Sequence, residues 1–230
     1  YFHGHSVRVA GAGSRLTLNQ AARMATLPGV SNAVKVAVLG VGGLGQHHAR
    51  IYAEMEQAGD VEFVGLYDPN LERAREVAEK NGVRALESME GVLDQADSVS
   101  IVTPTVTHHE LASKFLRAGR HVLVEKPITD EADQAAELVQ LAQENDRVLQ
   151  VGHVERFNPV FDYLQSVAKE PRFIETHRLS PYPARSMDIG VVLDLMIHDL
   201  DIVLAFVDSP VKKVDGVGVP VLSTNEDIAN

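Results

Sequence analysis

The sequence predicts an α/β protein whose first half is a doubly wound parallel sheet. Three observations carry that prediction. Short apolar, β-branched runs alternate with stretches of helical periodicity from Lys35 to Gly152. The first such run breaks into a glycine-rich turn, Gly40-Val41-Gly42-Gly43-Leu44-Gly45. The second ends on an acid, Asp68. Alternation of this kind places helices on both faces of the sheet and ligands beyond the carboxyl ends of its strands.

Lys35 to Leu39 is the first buried strand. The turn after it fits G-x-G-x-x-G at Gly40, Gly42 and Gly45. Gly40 permits the tight turn, Gly42 lets a pyrophosphate approach the backbone, and Gly45 lets helix and strand pack closely. Gln46 to Ala58 has helical spacing at Ala49, Tyr52 and Ala53, so its free N–H groups, with those of Gly43 and Leu44, face the phosphates. Val61 to Tyr67 is the second strand, and Asp68 stands about 20 residues beyond the turn, where an acid accepts from the adenosine ribose hydroxyls. A bare glycine motif also simply ends strands. Strand before, helix after and acid beyond make this one a Rossmann dinucleotide-binding domain. The Asp68 carboxylate repels a 2′-phosphate and favours NAD, while Arg73 nearby keeps NADP open.

Pro69 to Asn81 reads as a helix closed by Gly82, Val83 to Leu86 as a weak strand, and Ser88 to Ala96 as a short helix with Ser88 as N-cap. Ser98 to Val102 is a strand ending at Thr103-Pro104, Thr107 to Ala118 a helix, and His121 to Val124 the next strand. Three strand ends are therefore candidate ligand contacts: the glycine turn, Thr103 to Thr105 with His108 close behind, and Glu125-Lys126-Pro127. Pro127 stops its strand and leaves Lys126 at the sheet edge, placed to donate to a substrate oxygen. A salt bridge with Glu125 is the structural alternative.

The composition excludes several classes. With 45% apolar residues and 230 in all, the chain fills one or two soluble domains. A net charge of −11 argues against nucleic-acid and anionic-membrane partners. There are no cysteines, and no apolar run reaches the length of a membrane span. The cytoplasm is the default location. Residues 1–33 look like a leader or tag-like tail: Tyr1 to Ser6 resembles the end of a cleavable tag, and Met24 offers a natural start. Val7 to Gly13 imitates a strand and glycine turn, but Leu16 occupies the third glycine position. His3 and His5, His47 and His48, and His108 and His109 form pairs without a clear third ligand, so no metal is expected.

The run Val102-Thr103-Pro104-Thr105-Val106-Thr107-His108, with Ala118 to Pro127 and its Glu-Lys-Pro end, resembles the glucose–fructose oxidoreductase/inositol dehydrogenase (Gfo/Idh/MocA) family. The resemblance covers about Lys35 to Asn230. It implies an NAD(P)-dependent oxidoreductase with this dinucleotide domain, then an α+β domain with an open, mostly antiparallel sheet. The expected division is 34–152 for the first domain and 153–230 for an incomplete substrate and oligomerisation domain.

Asp130 to Asn145 is strongly helical and Arg147 to Gly152 is a strand. Gly152-His153-Val154-Glu155-Arg156-Phe157-Asn158-Pro159 is similar to a segment of family members acting on sugars, including nucleotide-sugar 3-dehydrogenases. It suggests Arg156 and Asn158 as substrate contacts, Arg156 through a phosphate or, equally, in an inter-domain salt bridge. A helix to Ala168 follows, then strand character from Pro171 to Leu179. Gly190 to Asp201 reads as a helix placing Asp194 and His198 at i and i+4 on one face, with Asp201 an alternative partner. A carboxylate there orients the imidazole and raises its basicity. The resemblance implies that Asp194 and His198 work with Lys126 on a secondary alcohol of a sugar or nucleotide sugar, although Gly190-Val191 replaces the family's paired glycines. Inositol or a simple sugar is the alternative substrate, and a non-catalytic dinucleotide sensor the alternative class. Val211 to Val221 reads as a strand or two. Further strands are expected beyond Asn230, making the chain part of a longer, self-associating protein.

Overall fold

The computed structural model describes residues 33–181, 189–207 and 209–230. The tail-like features of residues 1–32, and residues 182–188, lie outside these. Strand β1 (Val34–Leu39) leads into α1 (Gly45–Ala58) and β2 (Val61–Tyr67). Helix α2 (Leu71–Asn81) and α3 (Met89–Gln95) precede β3 (Ser98–Ile101). Then come α4 (His108–Arg117), β4 (His121–Glu125), α5 (Ala132–Glu144) and β5 (Leu149–Gly152). The five strands pair in parallel in the order β2-β1-β3-β4-β5. The order reverses between β1 and β3, so the loops leaving those two strands diverge and open a crevice at their carboxyl ends.

The alternation of β1 shows why this sheet takes helices on both faces. Ala37 and Leu39 pack with Val99, Ile101, Val122 and Val124 against Phe115, Leu116 and Leu138 of α4 and α5. Val36 and Val38 point the other way, onto Ala49, Ala53, Ala74 and Val77 of α1 and α2. Successive side chains of a strand face opposite sides, and both sides here are apolar. Asn70 caps α2 by accepting from Arg73 N at 3.1 Å, and Ser88 caps α3 by accepting from Gly91 N at 3.1 Å. The expected strand at Val83–Leu86 is reduced to one bridge between Leu66 and Ala85.

The remainder is less regular than its residue types suggest. A tight turn at Val154–Phe157 leads into α6 (Pro159–Val167), and α7 spans Ile197–Phe206. Phe161 and Phe206 meet edge to face at 5.4 Å and tie these two helices together. Residues 171–179 form no strand, although their β-branched and aromatic content predicts one. Strand propensity needs a partner, and Phe173 and Leu179 are 82% and 95% exposed. The stretch from Val211 to Val221 likewise yields only β6 (Gly218–Val219), paired antiparallel with β7 (Ile228–Ala229). Among the described residues this two-stranded pair is all that stands for the expected antiparallel sheet.

Candidate functional site

The crevice begins at the glycine turn. Gly40 has φ +81°, a left-handed conformation open to glycine, and its N–H donates to Tyr67 O at 2.8 Å. A Cβ on Gly45 would overlap the Gly40 carbonyl, so α1 starts in direct contact with the end of β1. A Cβ on Gly42 would meet nothing within 4 Å, which leaves that side open to a ligand. Leu44 is exposed, and Gly43 O accepts from the Gln46 side chain at 3.1 Å. Asp68 closes the turn from the next strand: Oδ2 accepts from Val41 N and Oδ1 from Asn70 N, both at 2.9 Å. Open space at Gly42, amides at the start of α1 and a carboxylate beside them fit a dinucleotide with free ribose hydroxyls. Arg73 is directed at Val41 O (3.1 Å) and Glu76 (2.8 Å), so its cation is engaged within the protein rather than held ready for a 2′-phosphate.

At the end of β3, Thr103 accepts the Thr107 hydroxyl at 2.7 Å, and Pro104 O accepts from Thr107 N at 2.9 Å. His108 is buried at 1% exposure, and its two ring nitrogens face Pro127 O at 2.8 Å and Thr103 O at 2.9 Å. Its polar atoms are therefore spent on two strand-end turns, not offered to a ligand as the sequence suggested. At the end of β4, Lys126 Nζ donates to Asp194 O at 2.7 Å and Asp194 Oδ1 at 3.0 Å. Both side chains are largely withdrawn from solvent.

The expected Asp194–His198 pair is not formed. Val192–Met196 is wound as a π-helical turn ahead of α7. The wider turn shifts the register on which i, i+4 neighbours depend, and Asp194 turns to Lys126 instead. His198 Nδ1 is left buried without a hydrogen-bond partner. Burial, then the charges of Lys126 and Arg178, hold the His198 pKa below the usual histidine range, against a smaller upward pull from Glu155. Asp201 is not the alternative partner either. It receives Arg156 as a fork, Nε to Oδ2 at 2.7 Å and Nη2 to Oδ1 at 2.6 Å. Arg156 thus takes the salt-bridge role of its two alternatives. Asn158 caps α6, accepting from Val160 N at 3.0 Å, and is likewise occupied.

One group in the cluster carries no assignment from sequence. His153, just past β5, lies 3.8 Å from Asp201 with Nδ1 buried and unpartnered. Burial outweighs the pull of Asp201 and lowers its pKa. Its position one residue beyond a parallel strand was the available signal. His153, His198 and His121 are all held below their ordinary value of 6.5 in the fold. The unfolded chain therefore binds protons first as pH falls. Stability contributed by these groups is complete above about pH 6.5 and is lost progressively below it. The thermal midpoint should drop between pH 7 and pH 5, and should drop less in His198→Gln.

A parallel sheet with a phosphate-facing glycine turn and an acid on the neighbouring strand defines a dinucleotide-binding domain. Residues 34–153 match the Gfo/Idh/MocA model, described as an oxidoreductase family with an NAD-binding Rossmann fold. The chain belongs to that family, and NAD is the cofactor its fold binds. A UDP-N-acetylglucosamine 3-dehydrogenase of Acidithiobacillus ferrooxidans is 42% identical over 197 residues, covering 85% of this chain and 61% of the relative. The solved structure of that enzyme superposes with a TM-score of 0.78, covering 85% of this chain and 63% of that one. The scyllo-inositol 2-dehydrogenase (NAD(+)) of Bacillus subtilis is 29% identical, covering 80% of this chain and 57% of the relative. The chain spans less than two thirds of the length of these relatives.

Proposed function

We propose that the chain carries the cofactor domain and part of the catalytic site of an oxidoreductase acting on a secondary alcohol of a nucleotide sugar, with UDP-N-acetylglucosamine as leading substrate. The observation that carries this reading is Lys126 Nζ, fixed on Asp194 at the carboxyl end of β4, with its charge acting on the unpartnered His198. NAD, when bound, supplies the hydride acceptor. His198, half-buried and with its pKa held below the usual histidine range, takes the hydroxyl proton of the alcohol. Lys126 donates to the same oxygen as negative charge develops. Asp194 holds Lys126 in place, a different task from orienting the imidazole. The division at Gly152, with residues 153–230 opening a substrate domain, belongs to the same reading.

An inositol or simple sugar substrate is favoured by one specific observation. Arg156, the candidate phosphate contact, is already paired with Asp201. A dinucleotide sensor without catalysis is less well supported, because Lys126, Asp194 and His198 are all present. No helix among the described residues is long and apolar enough to cross a membrane. A cytoplasmic homo-oligomer built through the second domain is part of the proposal, supported by the exposed apolar side chains of Val160, Tyr163, Phe173 and Leu179.

Incubation with NAD and either UDP-N-acetylglucosamine or inositols, following reduced nicotinamide by absorbance, tests the assignment. Turnover of the nucleotide sugar alone is expected, and turnover of inositol alone would move the assignment to the second substrate. For the cofactor, Asp68→Ala should weaken NAD binding about 10–100-fold, the worth of a charged hydrogen-bond acceptor. NADP should lose less, because the repulsion of its phosphate goes too. Equal losses by calorimetry would reduce Asp68 to a brace for the Val41 turn.

A further inference from the structure

The turn that presents Lys126 is gripped from two helices. His48, on α1 one turn beyond Gly45, lies with Nε2 3.0 Å from Glu125 Oε1, and both side chains are more than four-fifths buried. The other carboxylate oxygen, Oε2, accepts from Lys126 N at 3.3 Å. Glu125 therefore joins the helix whose N-terminus faces the dinucleotide to the backbone of the lysine. Across the sheet, β4 and β5 pair Glu125 with Gly152, and a Cβ on Gly152 would lie 2.7 Å from the carboxyl group. A flexible side chain would normally swing away from such a contact. Glu125 cannot do so without releasing His48. On the far side of the turn, His108 from α4 holds Pro127 O at 2.8 Å.

We propose that His48 is a positioning residue, acting through Glu125 to set Lys126 against the reacting oxygen. His108 holds the opposite end of the same three-residue turn. The pairing spans the cofactor helix and the catalytic turn, so the placement of Lys126 depends on α1 being in its nucleotide-binding position. Gly152 is glycine because the carboxylate needs its space. This rests on the catalytic assignment of Lys126 above.

The test compares His48→Leu, His48→Gln and Gly152→Ala in the NAD-loaded protein. Gln places an N–H donor near the position of Nε2, whereas Leu places none. His48→Leu and Gly152→Ala should lower kcat about 10–100-fold, the cost of a misplacement near 1 Å or somewhat less. The Kd for NAD should stay within about twofold, and His48→Gln should recover most of kcat. Acylation of Lys126 by an amine-reactive ester, read by peptide mass spectrometry against the exposed Lys35, gives a second readout that needs no turnover. It should rise in His48→Leu and Gly152→Ala but not in His48→Gln. Unchanged Lys126 labelling in His48→Leu, or a Gln variant as defective as Leu, would overturn the proposal. Absence of turnover in the wild-type chain with normal labelling differences would count against the substrate assignment and leave the His48 role standing.

Discussion

His198→Gln is expected to lose about 10²–10⁴ of turnover, the range for removing a positioned general base. Glutamine keeps the size and a donor but accepts no proton at neutral pH. The His198 ring is suited to the task by what it lacks. Its Nδ1 has no partner, and the charges of Lys126 and Arg178 disfavour its protonation. Its pKa is therefore held below that of an ordinary imidazole, which favours the form able to accept a proton. NAD affinity should be unchanged, since the glycine turn and Asp68 lie on other elements. In wild type the acid limb of kcat/KM should fall below pH 6.5, because the free-enzyme base is held under its ordinary value. Near-normal turnover in His198→Gln, or an acid limb well above pH 6.5, would remove His198 as the base.

The dinucleotide domain was legible because its signals are local. Gly40, Gly42 and Gly45 sit within one turn, and Asp68 ends the very next strand. Periodicity at Ala49 and Ala53 or at Ala74, Val77 and Ala78 marks faces that are buried as expected. The site partners were harder to read, for two physical reasons. Spacing places Asp194 beneath His198 only if the helix is regular, and the π-helical turn at Val192–Met196 breaks that premise. The pairs His48–Glu125, Arg156–Asp201 and Lys126–Asp194 join positions far apart in the chain. No periodicity links such residues; they meet only once strand ends, turns and helices from separate parts of the chain are packed together. The misjudged strand at 171–179 has a third cause, since β-rich composition describes a surface that wants a neighbour rather than one that has it.

Lys126→Met should cost about 10²–10³ in turnover, the loss typical of deleting one donor to a developing oxyanion. Methionine keeps the length and the apolar stem but brings neither charge nor N–H. The substitution has a second consequence that separates a catalytic lysine from a merely structural one. Lys126 is the largest electrostatic cause, after burial, of the depressed His198 pKa. Removing its cation makes protonation of the imidazole less unfavourable, so the His198 pKa must rise. Ring resonances titrated by NMR, with His198 assigned by its disappearance in His198→Gln, would report the shift without any need for turnover. Asp194, left without its cation at Oδ1 and at its carbonyl, should also become more mobile. A Lys126→Met protein with an unmoved His198 titration and wild-type turnover would separate the two residues and dissolve the site. An upward shift together with lost turnover and retained NAD binding would establish that Lys126 both serves the reacting oxygen and keeps its neighbour able to accept a proton.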